Sequence, residues 1–279
     1  MTSALTAIEL AHFHAFGFVV LRQVLDASTL RAEVDRAMVA CSPEPIATGA
    51  TCVQYVPMMV AETPTSLSLL DRFEDLAAAF LGGAVVPVRA TATRFIGATA
   101  WHADSSDGGV ESVAFSAYLD PLDAGNGALR VIPGSHCGDC AAAILRYKGL
   151  DASAAVETWP GVAIATRPGD IIVFDEHLMH ASTGGTVRQQ WRVDYMRAPT
   201  SPSEEAAARA FLSRVFPVEW DGRYDVDRFP SYGPDWLGSK RPAVERLRNL
   251  GAYELADAQE SRSRSRRGSL TPPPPSNSV

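Results

Sequence analysis

The chain has 279 residues, of which 46% are hydrophobic and 20% are charged, and these proportions are typical of a folded globular protein with a sizeable core. Its formal charge of −7 disfavours binding to nucleic acid, because the phosphate backbone requires a basic surface. No run of about 18 uncharged apolar residues occurs, so the sequence predicts no membrane span. The N-terminus also lacks the basic and then apolar pattern of a signal peptide, and we expect a cytoplasmic protein.

The N-terminal third is predicted to be mainly helical. Thr6 and Glu9 have the T-x-x-E spacing of a capping box, which predicts the start of a helix. Leu30, Val34 and Met38 recur at i, i+4 and i+8 and give a second helix one apolar stripe. The predicted elements are a helix ending at Gly17, a strand at 18–21, helices at 26–39 and 67–81, and a long loop at 41–66 whose sequence shows no clear period.

From residue 84 onward, short segments rich in β-branched and aromatic residues alternate with turn signals such as Ala-Gly-Asn-Gly and Arg-Pro-Gly-Asp. Regularly spaced short strands of this kind are typical of a β-sandwich, a jelly roll or a barrel. The predicted strands are 85–88, 91–96, 113–119, 128–132, 161–165, 170–174 and 191–195, with a short helix at 140–150 between them.

The C-terminal quarter has a weaker pattern. We predict a single domain over 1–255, with its core at about 13–198 and a C-terminal arm at 199–255 that contains helices at 204–216 and 242–255. Residues 256–279 are rich in Ser, Arg and Pro and contain almost no apolar side chains, so we expect a disordered tail there.

The four cysteines do not indicate a disulfide scaffold, because four in 279 residues are too few. Cys137 and Cys140 form a C-x-x-C motif, which occurs in zinc and redox sites. A zinc site needs a second pair at similar spacing, and a thioredoxin-like site needs a βα unit, and the sequence offers neither. We therefore interpret both as reduced thiols in a loop.

Two segments place possible metal ligands at strand ends. His102 and Asp104 form an H-x-D triplet, whose side chains lie on the same side of an extended chain. The β run 170–174 is followed by His177 and His180, and one of these histidines would complete a set of two histidines and one carboxylate. That set is the facial triad of non-haem Fe(II) oxygenases, which leaves three positions of an octahedral ion open for a co-substrate and O2.

A third feature is an arginine in the last predicted strand of the core. Arg192 follows His180 by twelve residues, and its guanidinium is a natural partner for the far carboxylate of a dicarboxylate that chelates the metal. Arg188 is a rival for this role. It precedes the predicted strand, in a turn region, and we expect it to be solvated.

These residues belong to a set of motifs that resembles the phytanoyl-CoA dioxygenase family of Fe(II)/2-oxoglutarate-dependent oxygenases. The matching blocks are His102-Ala-Asp104, 126–136 (NGALRVIPGSH), 167–174 (RPGDIIVF), His180-Ala-Ser182 and Trp191-Arg192. The resemblance extends from about residue 13 to 198. It implies a double-stranded β-helix, a jelly-roll fold flanked by helices, with Fe(II), 2-oxoglutarate and O2 as the reaction partners.

The resemblance also implies residue roles. His102, Asp104 and His180 match the iron ligands, and this match favours His180 over His177. Arg192 matches the anchor of the 2-oxoglutarate C5 carboxylate, Ser182 a hydroxyl that assists it, and Thr99 a polar position near the co-substrate, although Thr is shorter than the side chains that relatives carry there.

Because Asp104 supplies a carboxylate where halogenating relatives have a small residue, the sequence favours hydroxylation over halogenation. Desaturation, epimerisation and ring formation use the same ligands, and a non-catalytic jelly-roll binding protein is the alternative from another class. The chain has only two lysines and no basic cluster that could bind the phosphates of CoA, so we expect a small or medium metabolite as substrate, as in natural-product biosynthesis. The resemblance implies that succinate and CO2 are released. The candidate pocket walls are Tyr55, Met58, Phe95, Trp101 and Tyr118, and the candidate lids are 51–59 and 146–147.

Overall fold

The computed structural model describes residues 5–41, 46–48, 51–105, 109–150, 155–185, 187–216 and 224–269. Two antiparallel β-sheets face each other, and helices pack against the larger sheet. This is the predicted jelly-roll architecture, a double-stranded β-helix with flanking helices. Among the described residues, no helix has both the length and the hydropathy needed to cross a bilayer.

The helices begin and end at recognisable caps. In the first helix the Thr6 hydroxyl accepts a hydrogen bond from Glu9 N (3.2 Å), and Glu9 Oε2 accepts one from Thr6 N (2.8 Å), which is the predicted capping box. Gly17 ends this helix with a φ of +80°, a conformation that favours glycine. The helices are α1 Ala7–Phe16, α2 Ala27–Met38, α3 Pro64–Leu81, α4 Gly138–Leu150, α5 Pro202–Val215, α6 Pro234–Leu237, α7 Pro242–Asn249 and α8 Ala252–Ser269.

The larger sheet has seven strands in the order β1-β9-β6-β11-β4-β3-β2. Its central strand β11 pairs with β4 on one side and with β6 on the other. Its strands are β1 Phe18–Leu21, β2 Ile46–Thr48, β3 Thr51–Pro57, β4 Val85–Gly97, β6 Ser112–Tyr118, β9 Ile171–Asp175 and β11 Val187–Arg197.

The smaller sheet has four strands in the order β5-β10-β7-β8. Strands β5 and β10 pair in antiparallel orientation, and His180 of β10 lies directly opposite His102 of β5. Side chains of directly opposite residues point to the same face, so this register alone brings the two imidazoles together. The strands are β5 Thr99–His102, β7 Leu129–Val131, β8 Val162–Ala163 and β10 His180–Ser182.

Strand β11 shows how one sequence serves the core and the cavity. Trp191, Val193 and Tyr195 are fully buried in the core on the helix side of the sheet. There, Trp191 donates a hydrogen bond to Ser66 Oγ (2.8 Å), and the Tyr195 hydroxyl donates one to a carbonyl of α3 (2.6 Å). The alternate residues of the strand face the space between the sheets, since successive side chains of a strand point to opposite sides.

Two predictions about organisation differ from the structure. The predicted loop 41–66 contains β2 and β3, and β3 pairs with β4 over its full length. Its cavity face consists of Val53, Tyr55 and Pro57, and Gln54 on the other face pairs with Arg94, so no clear apolar period marks the strand in the sequence. The tail predicted to be disordered from residue 256 is helical through Ser269, where Ala256, Gln259 and Glu260 are buried against the domain. Residues 270–279 lie outside the described residues.

Candidate metal centre

Three side chains converge at one end of the smaller sheet. His102 and His180 face each other across β5 and β10, and Asp104 follows β5 by two residues. Asp104 Oδ1 lies 3.5 Å from His102 Nε2 and 3.6 Å from His180 Nε2. The possible ligand atoms of these three side chains all lie within 4.8 Å of one another. Among the described residues, no other set of three or more His, Cys, Asp and Glu side chains meets this criterion.

Both imidazoles are oriented with Nε2 towards the centre of this group. His102 Nδ1 lies 2.8 Å from Ala100 O, and His180 Nδ1 lies 2.9 Å from Leu178 O. A carbonyl oxygen only accepts, so each Nδ1 carries the proton and each Nε2 presents a lone pair. Burial also lowers the pKa of His180 to about 4, which keeps this imidazole neutral and available as a ligand at pH 7.

The donor set fits Fe(II). Two imidazole nitrogens and one carboxylate oxygen are the protein ligands of the two-histidine-one-carboxylate site, which retains open positions for small molecules. Two ligand atoms bound at a right angle to one ion at about 2.1 Å would lie about 3 Å apart. The observed distances of 3.5 Å and 3.6 Å between Asp104 Oδ1 and the two Nε2 atoms require only a small contraction.

Arg192, predicted as the co-substrate anchor, is already paired with acids. Its Nη1 lies 2.7 Å from Asp104 Oδ2, its Nη2 lies 2.6 Å from Glu176 Oε1, and its Nε donates to Asp194 Oδ1. Although burial opposes ionisation, the charge of Arg192 holds the pKa of Asp104 well below its usual range. Burial, reinforced by Asp194, raises the pKa of Glu176 to about 7.

Arg188 is not solvated as predicted. Strand β11 begins at Val187, four residues before the predicted strand, and places Arg188 between the two sheets. Its residue exposure is 1%, and it forms no ion pair with any carboxylate among the described residues. Its Nη1 donates to Gly97 O (3.0 Å) and its Nη2 to Ser182 Oγ (2.8 Å). Burial lowers the pKa of this guanidinium, which reflects the cost of placing an unpaired charge there.

Two glycines make room for Arg188. A Cβ on Gly127 would lie 2.7 Å from Arg188 Cδ, and a Cβ on Gly185 would lie 2.7 Å from Arg188 Nη1. Gly127 also has a φ of +104°, which side chains rarely adopt. The cradle around the guanidinium therefore depends on the absence of side chains at both positions.

The metal ligands, Arg188 and Arg192 line a single cavity of about 650 Å³ between the sheets. The smaller sheet contributes one wall, the larger sheet the opposite wall, and the C-terminal arm a third. The lining residues that were predicted from the sequence are Tyr55, Phe95, Thr99, Tyr118 and Ser182. The arm contributes Phe211, Arg214, Val215, Phe216, Tyr224 and Ser231, and α8 contributes Gln259.

Two of the predicted pocket residues are elsewhere. Met58 is fully buried in the main core, just after β3. Trp101 precedes His102 on β5 and therefore points to the opposite face, where its ring packs 6.0 Å from that of Trp159. Of the candidate lids, 51–57 is the cavity-lining strand β3, and Tyr147 has a side chain that the structure does not describe.

The alternative ligands are not part of the group. His177 Nδ1 lies 2.9 Å from Asp175 Oδ1, and the ring does not join the three-residue group. Cys137 is exposed, with its Sγ 3.6 Å from His136 Nε2, and Cys140 lies in α4. Sequence reasoning missed Glu176 and the lining residues of the arm, since no motif links them to the H-x-D triplet.

Comparison with known proteins identifies the family. The family model of phytanoyl-CoA dioxygenase matches residues 13–192, which is more than half of the chain. The chain belongs to this family. It is accordingly an Fe(II)/2-oxoglutarate-dependent oxygenase, as its motifs indicated, and the match spans all three residues of the candidate metal centre. No curated protein matches the sequence.

Solved structures with the same fold are distant in sequence. HygX from Streptomyces hygroscopicus, crystallised with nickel and 2-oxoglutarate, is 18% identical, with a TM-score of 0.57 over 70% of this chain and 88% of its own. SnoN, described as a non-heme alpha ketoglutarate dependent epimerase from nogalamycin biosynthesis, is 21% identical, with a TM-score of 0.53 over 68% and 82%. EctD from S. alaskensis, with 2-oxoglutarate and 5-hydroxyectoine, is 22% identical, with a TM-score of 0.53 over 71% and 78%.

Proposed function

We propose that this family member binds Fe(II) through His102, Asp104 and His180 and oxidises a small or medium organic metabolite, with hydroxylation as the reaction. The observation that carries the proposal is an unpaired buried guanidinium, Arg188, in the same cavity as the three ligands. A cavity that contains both a metal site and a guanidinium without a carboxylate partner suits a co-substrate that chelates the metal and carries a second carboxylate.

We assign the C5 carboxylate of 2-oxoglutarate to Arg188, in place of Arg192. Ser182, which accepts from Arg188, lies two residues after His180 on β10, so both side chains face the cavity about 7 Å apart along the strand. A five-carbon dicarboxylate spans this separation. Arg192 would have to give up an acid to take the same role, and its assignment as anchor stays a prediction that this geometry does not favour.

When bound, Fe(II) supplies the electrons and open coordination positions for O2 activation, and 2-oxoglutarate is converted to succinate and CO2. The protein orients these partners. The Ala100 and Leu178 carbonyls fix the imidazole tautomers, and Arg188 with Ser182 sets the direction of the co-substrate. Phe95 and Phe174 add apolar surface that limits water in the cavity.

We propose a chemical class for the substrate, a compact organic natural product. A cavity of about 650 Å³ accommodates the co-substrate together with a compact organic molecule. HygX has been crystallised with hygromycin B, and SnoN with nogalamycin RO, which supports a natural product as substrate here. Epimerisation is the second candidate, favoured by the likeness to SnoN, and desaturation and ring formation use the same ligands.

The first experiment is an anaerobic titration with Fe(II) and 2-oxoglutarate, monitored by the visible charge-transfer band of the chelate. We expect the band in the wild type and in His177→Ala, which removes a nearby imidazole outside the ligand group, and we expect none in His102→Ala. Absence of the band in the wild type, or an undiminished band in His102→Ala, would contradict the metal assignment.

The second experiment measures succinate release on a panel of metabolites and the mass of each product. Hydroxylation adds one oxygen atom, desaturation and ring formation remove two hydrogens, and epimerisation leaves the mass unchanged. A wild-type protein that forms the chelate but releases no succinate with any compound would favour the non-catalytic binding protein.

A further inference from the structure

Arg192 connects the candidate metal ligand Asp104 to two other buried acids. Each of its three nitrogens meets a different carboxylate: Nη1 meets Asp104, Nη2 meets Glu176, and Nε meets Asp194. The Arg192 side chain retains 14% exposure. Because every nitrogen of the guanidinium is occupied, this arginine is a fixed part of the site rather than a vacant anion receptor.

The two oxygens of Asp104 have different surroundings. Oδ1 faces both imidazoles, with 3.5 Å to His102 Nε2 and 3.6 Å to His180 Nε2. Oδ2 is turned away and accepts from Arg192 Nη1 at 2.7 Å. A carboxylate can ligate a metal through one oxygen or through two. With Oδ2 held by the guanidinium, Asp104 presents one oxygen to the centre of the ligand group.

The guanidinium is itself held in place. Glu176 is fixed through its backbone, because Ser105 N donates to Glu176 O (2.9 Å) and Glu176 N donates to Ser112 O (3.2 Å). Asp194 is buried and accepts from Arg89 on its other oxygen. The contacts are therefore made between groups on rigid strands and strand ends, so the orientation of Asp104 does not depend on a mobile side chain.

We propose that Arg192 is a positioning residue that restricts Asp104 to ligation through Oδ1, with Glu176 and Asp194 holding the guanidinium in register. One coordination position that a two-oxygen carboxylate would occupy is thereby kept for small molecules. The inference rests on the proposed metal site, and it replaces the role of co-substrate anchor that the sequence suggested for Arg192.

The test is a titration with Co(II) alone, without 2-oxoglutarate, monitored by its visible absorption. We expect Arg192→Gln to lower metal affinity about 10- to 100-fold, the range typical for partners of metal ligands. The Co(II) spectrum should also change, because Asp104 becomes free to use both oxygens. Arg22→Gln is the matched control: it removes a guanidinium that pairs with another buried carboxylate, Asp170, at 2.8 Å and contacts none of the candidate metal ligands, so its Co(II) affinity should stay within about twofold of the wild type.

Removing Arg192 leaves Asp104 and Glu176 without a guanidinium partner in a buried site, and this change can prevent folding. The double variant Arg192→Gln with Glu176→Gln removes one charge of each sign and provides a folded alternative. It should show the same loss of Co(II) affinity. Arg192→Lys, which retains a donor for Asp104, should restore part of the affinity, whereas a merely structural arginine would give no such graded metal affinity among folded variants.

The outcomes separate this inference from the proposed function. If His102→Ala abolishes Co(II) binding while the Arg192 variants bind Co(II) within twofold of the wild type and with an unchanged spectrum, the positioning role is wrong and the metal site stands. If the Arg192 variants keep Co(II) affinity but lose 2-oxoglutarate affinity, Arg192 is the anchor after all. If His102→Ala leaves Co(II) binding unchanged, the proposed metal site itself fails.

Discussion

Arg188 and Arg192 lie four residues apart on the same face of β11, and the structure gives them opposite surroundings. Arg192 meets three carboxylates, whereas Arg188 meets a carbonyl and a hydroxyl and no acid among the described residues. Both are largely withdrawn from solvent, so the difference lies in charge compensation. Arg192 has its counter-charges within the fold, and Arg188 lacks one until a ligand supplies it.

The contrast separates two uses of a buried cation. A guanidinium whose partners are part of the protein fixes the geometry of those partners, and a guanidinium without a partner carries a desolvation cost that an anionic ligand relieves. The glycine cradle encloses Arg188 closely, because a Cβ on Gly127 or on Gly185 would lie 2.7 Å from its side chain. This close fit holds the guanidinium in one position in the cavity wall. Experiments on either arginine can test this difference.

The largest expected effect is that of Arg188→Gln on co-substrate binding. Truncating one partner of a buried charge pair costs about 2–5 kcal/mol, so the Kd for 2-oxoglutarate should rise at least about 30-fold. Co(II) affinity without 2-oxoglutarate should stay unchanged. Calorimetric titration of the two ligands in turn measures both quantities. An unaltered Kd for 2-oxoglutarate would remove Arg188 from the proposed site.

An intermediate effect is expected from Gly127→Ala. The added Cβ would clash with Arg188 at 2.7 Å and should displace the guanidinium, so we expect the Kd for 2-oxoglutarate to rise about 10-fold, which corresponds to about 1.4 kcal/mol. Gly82→Ala is the matched control, because Gly82 also has a positive φ (+66°) but no atom within 4 Å of its Cβ position. Both variants should lose stability in urea, and only Gly127→Ala should lose affinity.

The smallest expected effect is that of Ser182→Ala. It removes one hydrogen bond of 2.8 Å to Arg188, and a hydrogen bond contributes about 1 kcal/mol, so the Kd for 2-oxoglutarate should rise about fivefold. Combining it with Arg188→Gln should add little, because the hydroxyl acts through the guanidinium. A fully additive loss in the double variant would instead place Ser182 in direct contact with the co-substrate.

Much of the candidate site could be predicted from sequence because its residues lie close together along two strands. His102 and Asp104 are two positions apart, and His180 lies directly opposite His102 in an antiparallel strand pair. The choice between the two arginines could not be predicted. Alternation places both on one face of β11, and what distinguishes them is the set of acids, Glu176 and Asp194 among them, that other parts of the fold bring to Arg192.

The incorrect predictions about the fold have a similar origin. Trp101 adjoins the ligand His102, but neighbouring residues of a strand point to opposite faces, so Trp101 packs against Trp159 away from the cavity. Strand β3 lies in a segment that is rich in Pro, Thr and Gly and shows no clear period, because Gln54 interrupts the face opposite the cavity. The helix through Ser269 was missed because only a few of its residues, such as Ala256 and Gln259, are buried, too few to give a period.

The third wall of the cavity has a consequence for how the protein matures. Gln259 lies in α8, 67 positions after Arg192 (259 − 192), yet it faces the same cavity. During synthesis the N-terminal part of a chain emerges and folds first. The segments that carry the metal ligands therefore emerge before α8, and the cavity around them is complete only when α8 packs against the rest of the domain.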